Sequence, residues 1–247
     1  MRDLTVAVFR PDDERLEDAV ELIDSLGATA VPDPMLAVEP TGSPPRTDAD
    51  CVVLTSKTGA ELVADAGWEP GEATVCAIGP RTADALREVG YDVDTVPEEY
   101  TSSGLVATLE GAVDGARVEV ARSDHGSPVL LDGLEAAGAY VHETVLYRLV
   151  RPAGSGDSTE RAAAGTLDAA CFTSSLTVEH WLEAADERGN RDEALEGLTE
   201  ATVGVIGEPT RETAADAGID VDLVASEATF DALACETVEA AAPTYHE

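Results

Sequence analysis

Lysine is nearly missing from this chain: Lys57 is its single lysine, and the other basic residues are arginines. Fifteen basic residues face 50 acidic ones, which leaves a formal net charge of -35. No basic stripe is present, and this disfavours nonspecific binding to nucleic acid. Cysteine is sparse as well. Cys51, Cys76, Cys171 and Cys235 show no paired metal-ligand spacing, and His125, His142, His180 and His246 are equally scattered, so no metal site is expected. Three of the cysteines fall in strand-like runs and Cys235 in a helical one, which predicts buried, reduced thiols. No apolar run is long enough to span a bilayer and no export signal opens the chain, so the expectation is a cytoplasmic protein without membrane contact.

What is present points to a folded protein. Hydrophobic residues make up 44% of 247 and recur periodically almost to the C-terminus, enough for real cores beneath an acidic coat. Acid excess with lysine depletion resembles proteins of salt-accumulating organisms, where dissolved salt screens the self-repulsion. The chain is therefore expected to come from a halophile and to need salt for stability. No sustained exposed apolar stripe appears, which favours a monomer.

One stretch occurs twice. Thr74-Val75-Cys76-Ala77-Ile78-Gly79-Pro80-Arg81-Thr82 returns as Thr202-Val203-Gly204-Val205-Ile206-Gly207-Glu208-Pro209-Thr210. An apolar run ends in Ile-Gly, Pro and Thr follow, and a helical pattern begins; glycine is expected to allow a tight turn and threonine to cap the helix. The copies stay in step through Gly90 and Gly218 into Asp92-Val93-Asp94 and Asp220-Val221-Asp222. Two further pairs match: Val118-Glu119-Val120-Ala121-Arg122 echoes the strand that ends at Arg10, and Asp50 to Ser56 echoes Asp168 to Ser174. Each half thus holds three strand-tip-helix units in the same order, the signature of a duplication and of parallel α/β sheets.

The repeat boundary near Gly115 need not be the domain boundary. Residues 36–40 and 143–150 read as extended connectors, the first bounded by prolines and the second ending at Arg151-Pro152. If they run antiparallel, residues 41–142 form one domain and residues 1–35 join 151–247 in the other, with a site in the cleft facing the strand tips. Gly154 to Thr159 reads as a flexible turn, and Glu183 to Glu196 as a solvated acidic helix or loop.

Taken together, Thr55-Ser56 and Thr173-Ser174 closing strands, Ala77 to Thr82 opening a helix, and Gly138-Ala139-Tyr140-Val141 leading to Val145-Leu146-Tyr147-Arg148 resemble uroporphyrinogen-III synthase, over nearly the whole chain. The resemblance implies two flavodoxin-like, duplicated α/β domains joined by a two-stranded linker. It also implies a cofactor-free lyase that takes hydroxymethylbilane, removes water, inverts the terminal pyrrole and closes the ring to uroporphyrinogen III, with a hand-over from hydroxymethylbilane synthase as a further expectation. Such a substrate is rich in carboxylates and calls for backbone N–H groups, hydroxyls and some cations. Candidate contacts are Arg10, Thr55, Ser56, Lys57, Gly79, Arg81, Thr82, Arg122, Ser123, Arg148, Thr173, Ser174, Gly207 and Thr210. Each helix N-terminus would add roughly 0.3–1 kcal/mol toward a nearby anion.

Tyr147 matches the family's linker tyrosine. A phenol of ordinary acidity, pKa about 10, is protonated at neutral pH and can assist departure of the hydroxyl group. Three places depart from the family pattern: Glu208 puts an acid into a proposed anion site, Lys57-Thr58 replaces a small or amide pair, and Tyr147-Arg148-Leu149 lacks a later threonine. A bilobal receptor, or a tetrapyrrole binder without turnover, would share this layout.

Overall fold

The structure is a computed structural model and describes residues 4–242; His246 lies outside that range. In chain order its elements are β1 (Thr5–Val8), α1 (Glu14–Ser25), β2 (Thr29–Pro32), β3 (Ala37–Pro40), β4 (Cys51–Leu54), α2 (Lys57–Asp65), β5 (Thr74–Ala77), α3 (Pro80–Glu88), α4 (Ser102–Leu109) and β6 (Arg117–Ser123). Then come α5 (Pro128–Ala136), β7 (Tyr140–Val150), α6 (Asp157–Ala163), β8 (Ala169–Phe172), α7 (Ser175–Arg188), α8 (Arg191–Thr199), β9 (Thr202–Val205), α9 (Glu208–Asp216), β10 (Leu223–Val224) and α10 (Phe230–Ala241).

Two compact units result. The first combines Met1–Ala37 with Val150–Glu247, and the second is Val38–Leu149. In the first, the sheet order is β10-β9-β8-β1-β2 with every pair parallel. Counted along the chain this is the 2-1-3-4-5 order of flavodoxin-like folds. In the second the order is β3-β7-β6-β4-β5, with β4–β5, β4–β6 and β6–β7 parallel, and a parallel bridge from Cys76 to Thr95 continues the sheet beyond β5.

Set side by side, β6, β7, β4, β5 and Thr95 occupy the places of β1, β2, β8, β9 and β10. Each unit therefore takes its Arg-ended strand and the following strand from one copy of the repeat, and its Thr-Ser and Gly-tipped strands from the other. The segments expected as connectors contain β3 and most of β7, which are neighbours in the second sheet.

The cores follow from strand alternation. Val6 and Val8 point to one face of the first sheet, among Leu16, Ile23 and Leu233; Ala7 and Phe9 point to the other, among Phe172 and Trp181. Phe9 and Phe172 stack at 4.6 Å, and Trp181 meets Phe172 edge-on at 6.2 Å. Burial of each such ring contributes roughly 1.5–3 kcal/mol.

One sequence expectation is corrected here and another is narrowed. Gly154 to Thr159 is not a free turn, because Asp157 opens α6 and both Ser158 and Thr159 are fully buried. The buried carboxylate of Asp33 accepts from the Gly156 N–H (2.7 Å), the Ser158 N–H (2.8 Å) and the Ser158 hydroxyl (2.5 Å), so a residue just past β2 caps this helix across the chain. Glu183 to Glu196, expected as helix or loop, is helix on either side of a turn: α7 runs to Arg188, Gly189 turns it at φ +66°, and α8 follows.

Candidate active site

In open parallel sheets, ligands gather where the strand order reverses, beyond the carboxyl ends of the strands. In the first unit that point lies between β1 and β8, and in the second between β6 and β4. Both are built alike: an arginine-ended strand stands beside a Thr-Ser-ended one, Arg10 with Thr173-Ser174 and Arg122-Ser123 with Thr55-Ser56. Ser56 and Ser174 are the N-caps of α2 and α7. Ser56 Oγ accepts from Gly59 N at 2.9 Å, and Ser174 forms a reciprocal capping box with Thr177. Thr173 donates its hydroxyl to Phe9 O (3.2 Å), tying the two central tips of the first sheet together.

Tyr147 reaches this point through an irregularity in β7. Arg122 pairs with Val145 but Ser123 pairs with Tyr147, so Leu146 is an extra residue at a bulge. A bulge breaks the strict alternation of side chains. Leu146 and Tyr147 therefore both pack into the cluster of Leu54, Ala60 and Ala121, and the Tyr147 hydroxyl donates to Ser56 Oγ at 3.0 Å.

The duplicated arginines have diverged. Arg122 is 5% exposed; its Nε donates to Glu143 Oε1 at 2.6 Å and its Nη1 to Ser127 O at 2.5 Å. A side chain at Gly126 would come within 2.5 Å of its guanidinium. Arg10, by contrast, lies over the Phe230 ring at 5.2 Å, and its buried Nε has no hydrogen-bond partner. Burial, reinforced by Arg15, draws the pKa of Arg10 below its ordinary value. A buried guanidinium donor left unmatched is suited to an anion.

The glycine tips also differ. Gly79 and Gly207 are the N-caps of α3 and α9, at φ -170° and -177°, extended backbone open to any residue. The expected tight turn is thus not why glycine stands there. A Cβ on Gly79 would meet Tyr100 Cβ at 3.2 Å, whereas one on Gly207 would find only Pro209 Cδ, at 3.9 Å. Thr82 and Thr210 are not caps; they lie inside the first helical turn and are buried. Lys57 and Arg81 are exposed in the first turns of α2 and α3, where Lys57 pairs with Glu61 at 3.4 Å, and Arg148 is exposed on β7. Glu208 pairs with Arg211, which holds its carboxyl below the usual range and neutralises the acid at that tip.

The two larger hollows of the second unit lie elsewhere, at the amino ends of its strands. One of about 480 Å³ is lined by Arg117, Glu119, Tyr140 and His142, and one of about 730 Å³ by Trp68, Thr74 and Tyr91. Glu119 occupies the place of Ala7 and is buried, accepting from Thr144 and hydrogen-bonded to His142 Nδ1 at 2.7 Å. Cys51, Cys76 and Cys171 are buried free thiols as expected; Cys235 is exposed, contrary to expectation, because it faces outward on α10. Among the described residues, no helix is long and apolar enough to cross a membrane.

Two α/β units, each with a hydroxyl-bearing switch point and helix N-termini at its tips, define a duplicated, flavodoxin-like class of α/β protein. A family profile described as "Uroporphyrinogen-III synthase HemD" matches residues 17–235. The chain belongs to the uroporphyrinogen-III synthase family, and the function that goes with membership is cyclisation of hydroxymethylbilane in tetrapyrrole biosynthesis. It is 36% identical over 230 residues to a Methanothermobacter thermautotrophicus protein named "Putative uroporphyrinogen-III synthase", covering 87% of this chain and 90% of that one. A protein of the same name from Archaeoglobus fulgidus is 29% identical over 184 residues, covering 74% and 76%. A crystal structure of uroporphyrinogen III synthase from Thermus thermophilus matches 96% of this chain and 98% of its own at TM-score 0.66 and 21% identity. One from Helicobacter pylori matches 97% and 99% at TM-score 0.62 and 13% identity. Both share the fold.

Proposed function

We propose that the chain is a carbon-oxygen lyase that works at the carboxyl ends of its two sheets, with the Tyr147–Ser56 pair assisting loss of water from hydroxymethylbilane. The observation that carries this reading is the 3.0 Å hydrogen bond between the two hydroxyls at a strand-order reversal. Ser56 Oγ already accepts from Gly59 N and from Tyr147, so both its acceptor positions are occupied and its own hydrogen is left to donate. Ser56 would give this proton to the departing hydroxyl while Tyr147 replenishes it. The pyrrole nitrogen supplies the electron push, and water leaves.

The remaining task is conformational, because the bilane closes unaided to the unflipped isomer: the protein must fold the chain so that the inverted ring attacks. Arg10, Thr55, Thr173, Ser174 and Gly207 hold substrate carboxylates, with Lys57, Gly79, Arg81, Thr82, Arg122, Ser123, Arg148 and Thr210 around them. Arg10 is the strongest of these, through its unmatched donor. The acidic, lysine-poor composition supports a halophilic source, the free cysteines suit a cytoplasmic location, and the lack of a sustained exposed apolar stripe in the sequence suits a monomer; hand-over of substrate from hydroxymethylbilane synthase belongs to the same reading.

The test is an isomer assay in molar KCl, with freshly generated hydroxymethylbilane and oxidised products separated into type I and type III uroporphyrin. Dominant type III, absent without protein, is the expected result. Type I alone at the spontaneous rate, from folded protein, would favour the tetrapyrrole binder without turnover.

A further inference from the structure

Tyr100 is an aromatic side chain with no structural task that accounts for its placement. It is 61% exposed, in the loop between Thr95 and α4, and lies against the Gly79 tip of β5. Its local backbone is firmly set. Thr101 caps α4 through the Gly104 N–H at 3.0 Å, and a Cβ on Gly104 would fall 2.2 Å from Glu99 O. Gly79 itself has extended backbone angles, so its missing side chain makes room for Tyr100 rather than for a turn. The ring's inner edge thus rests on the strand-to-helix turn while much of its surface stays open.

The duplicate provides an internal control. Thr101 corresponds to Thr229, which caps α10 in the same manner, and Tyr100 corresponds to Ala228. In the first unit Gly207 accordingly has open space above it. One tip carries an aromatic platform; its counterpart has no such ring, and the Thr210 N–H there bonds Gly207 O at 3.1 Å.

We infer that Tyr100 is a substrate-contacting residue that stacks on a pyrrole ring of the bilane at the Gly79 tip of the second unit. The inference rests on the proposed site at the strand tips. Pyrroles are electron-rich planar rings, and offset stacking on a tyrosine gains from the same ring geometry that favours aromatic pairs in proteins. Because the ring is half free already, it offers this surface without prior rearrangement.

The experiment compares Tyr100→Phe, Tyr100→Leu and Tyr100→Ala with wild type in molar KCl, following KM, kcat and the type III to type I ratio. Tyr100→Phe should keep KM within about twofold. Tyr100→Leu and Tyr100→Ala should raise it about three- to tenfold with kcat within about twofold, and the melting temperature should stay unchanged. Unaltered KM in Tyr100→Ala overturns the inference, and so does Tyr100→Phe as damaging as Tyr100→Ala, which would assign the contact to the hydroxyl. Should wild type itself make no type III product, the site reading fails first and separately.

Discussion

The Tyr147 hydroxyl donates to Ser56 Oγ at 3.0 Å, across a sequence separation of 91 residues. The contact exists because an extra residue in β7 brings Tyr147 to the face of the sheet that Leu146 also occupies. Tyr147→Phe removes the donor without changing the packing. Turnover should fall about 10- to 100-fold with KM nearly constant, and stability should drop by about 0.5–1.5 kcal/mol. Ser56→Ala should lower turnover similarly and weaken α2 by about 1 kcal/mol through loss of its cap. The double variant should be no slower than the worse single one, measured as steady-state type III formation. Additive losses would separate the two hydroxyls.

Arg10 and Arg122 stand at equivalent strand ends and should respond oppositely. Arg10→Ala removes a guanidinium with an unmatched donor, so KM should rise about tenfold while the melting temperature changes little. Arg122→Ala strips Glu143 and Ser127 O of their partner and opens a buried space, costing about 1–3 kcal/mol of stability with KM near wild type. Urea unfolding beside steady-state kinetics separates the two; a KM effect confined to Arg122→Ala would reverse the assignment.

Thiol chemistry should single out Cys235. It is exposed, whereas burial raises the Cys171 thiol to about 12, and the hydrogen bond between Cys51 and Cys76, 3.4 Å apart, raises Cys51. A chromogenic disulfide reagent at neutral pH in molar KCl should therefore titrate one thiol in the folded protein and four after denaturation. More than one fast-reacting thiol in the native state would contradict this packing.

Acid should weaken the fold in a defined window. The Arg15 guanidinium, hydrogen-bonded to Asp13, holds the carboxyl that caps α1 below its ordinary value; Arg117 does the same to Asp50 and Arg211 to Glu208. A carboxylate depressed in the folded state contributes stability that is present above its unfolded value, about 3.9–4.3, and lost as pH falls through the folded one. Asp13→Asn keeps a capping side chain but no charge. Its melting temperature should lie below that of wild type at neutral pH, and the gap should close below about pH 4. A gap constant with pH would remove the ion pair from the account.

Salt should act in the opposite sense to ordinary ion-pair screening. With a net charge of -35, repulsion among carboxylates outweighs the exposed pairs such as Arg87–Asp84 and Arg191–Asp186. The melting temperature should rise continuously from low salt to molar KCl, followed by circular dichroism. A melt independent of KCl would count against a halophilic origin.

Some of this was legible in the sequence because it is local chemistry. Ser56 and Ser174 follow apolar strands directly and cap the next helices, and the repeated Ile-Gly tips mark where strands hand over to helices. Other features depend on partners far away in the chain. Asp33 between two prolines gives no sign that it caps a helix opening at Asp157, and Arg122 shows its burial only once β7 places Glu143 beside it. The role of Gly79 was misread as backbone freedom because its neighbour Tyr100 lies 21 positions on, beyond any turn motif. The bulge that aims Tyr147 has no glycine to announce it.

The mutual exchange of strands between the copies has an ancestral reading. A single copy, ending near Gly115, would hold half of each sheet and could complete neither alone. Two such chains would satisfy each other as a domain-swapped homodimer, and joining them end to end turns that association into an intramolecular step with a high effective concentration. In the fused chain the two copies differ, with an unmatched arginine donor on one side and an open tyrosine ring on the other, a polarity that two identical chains could not show.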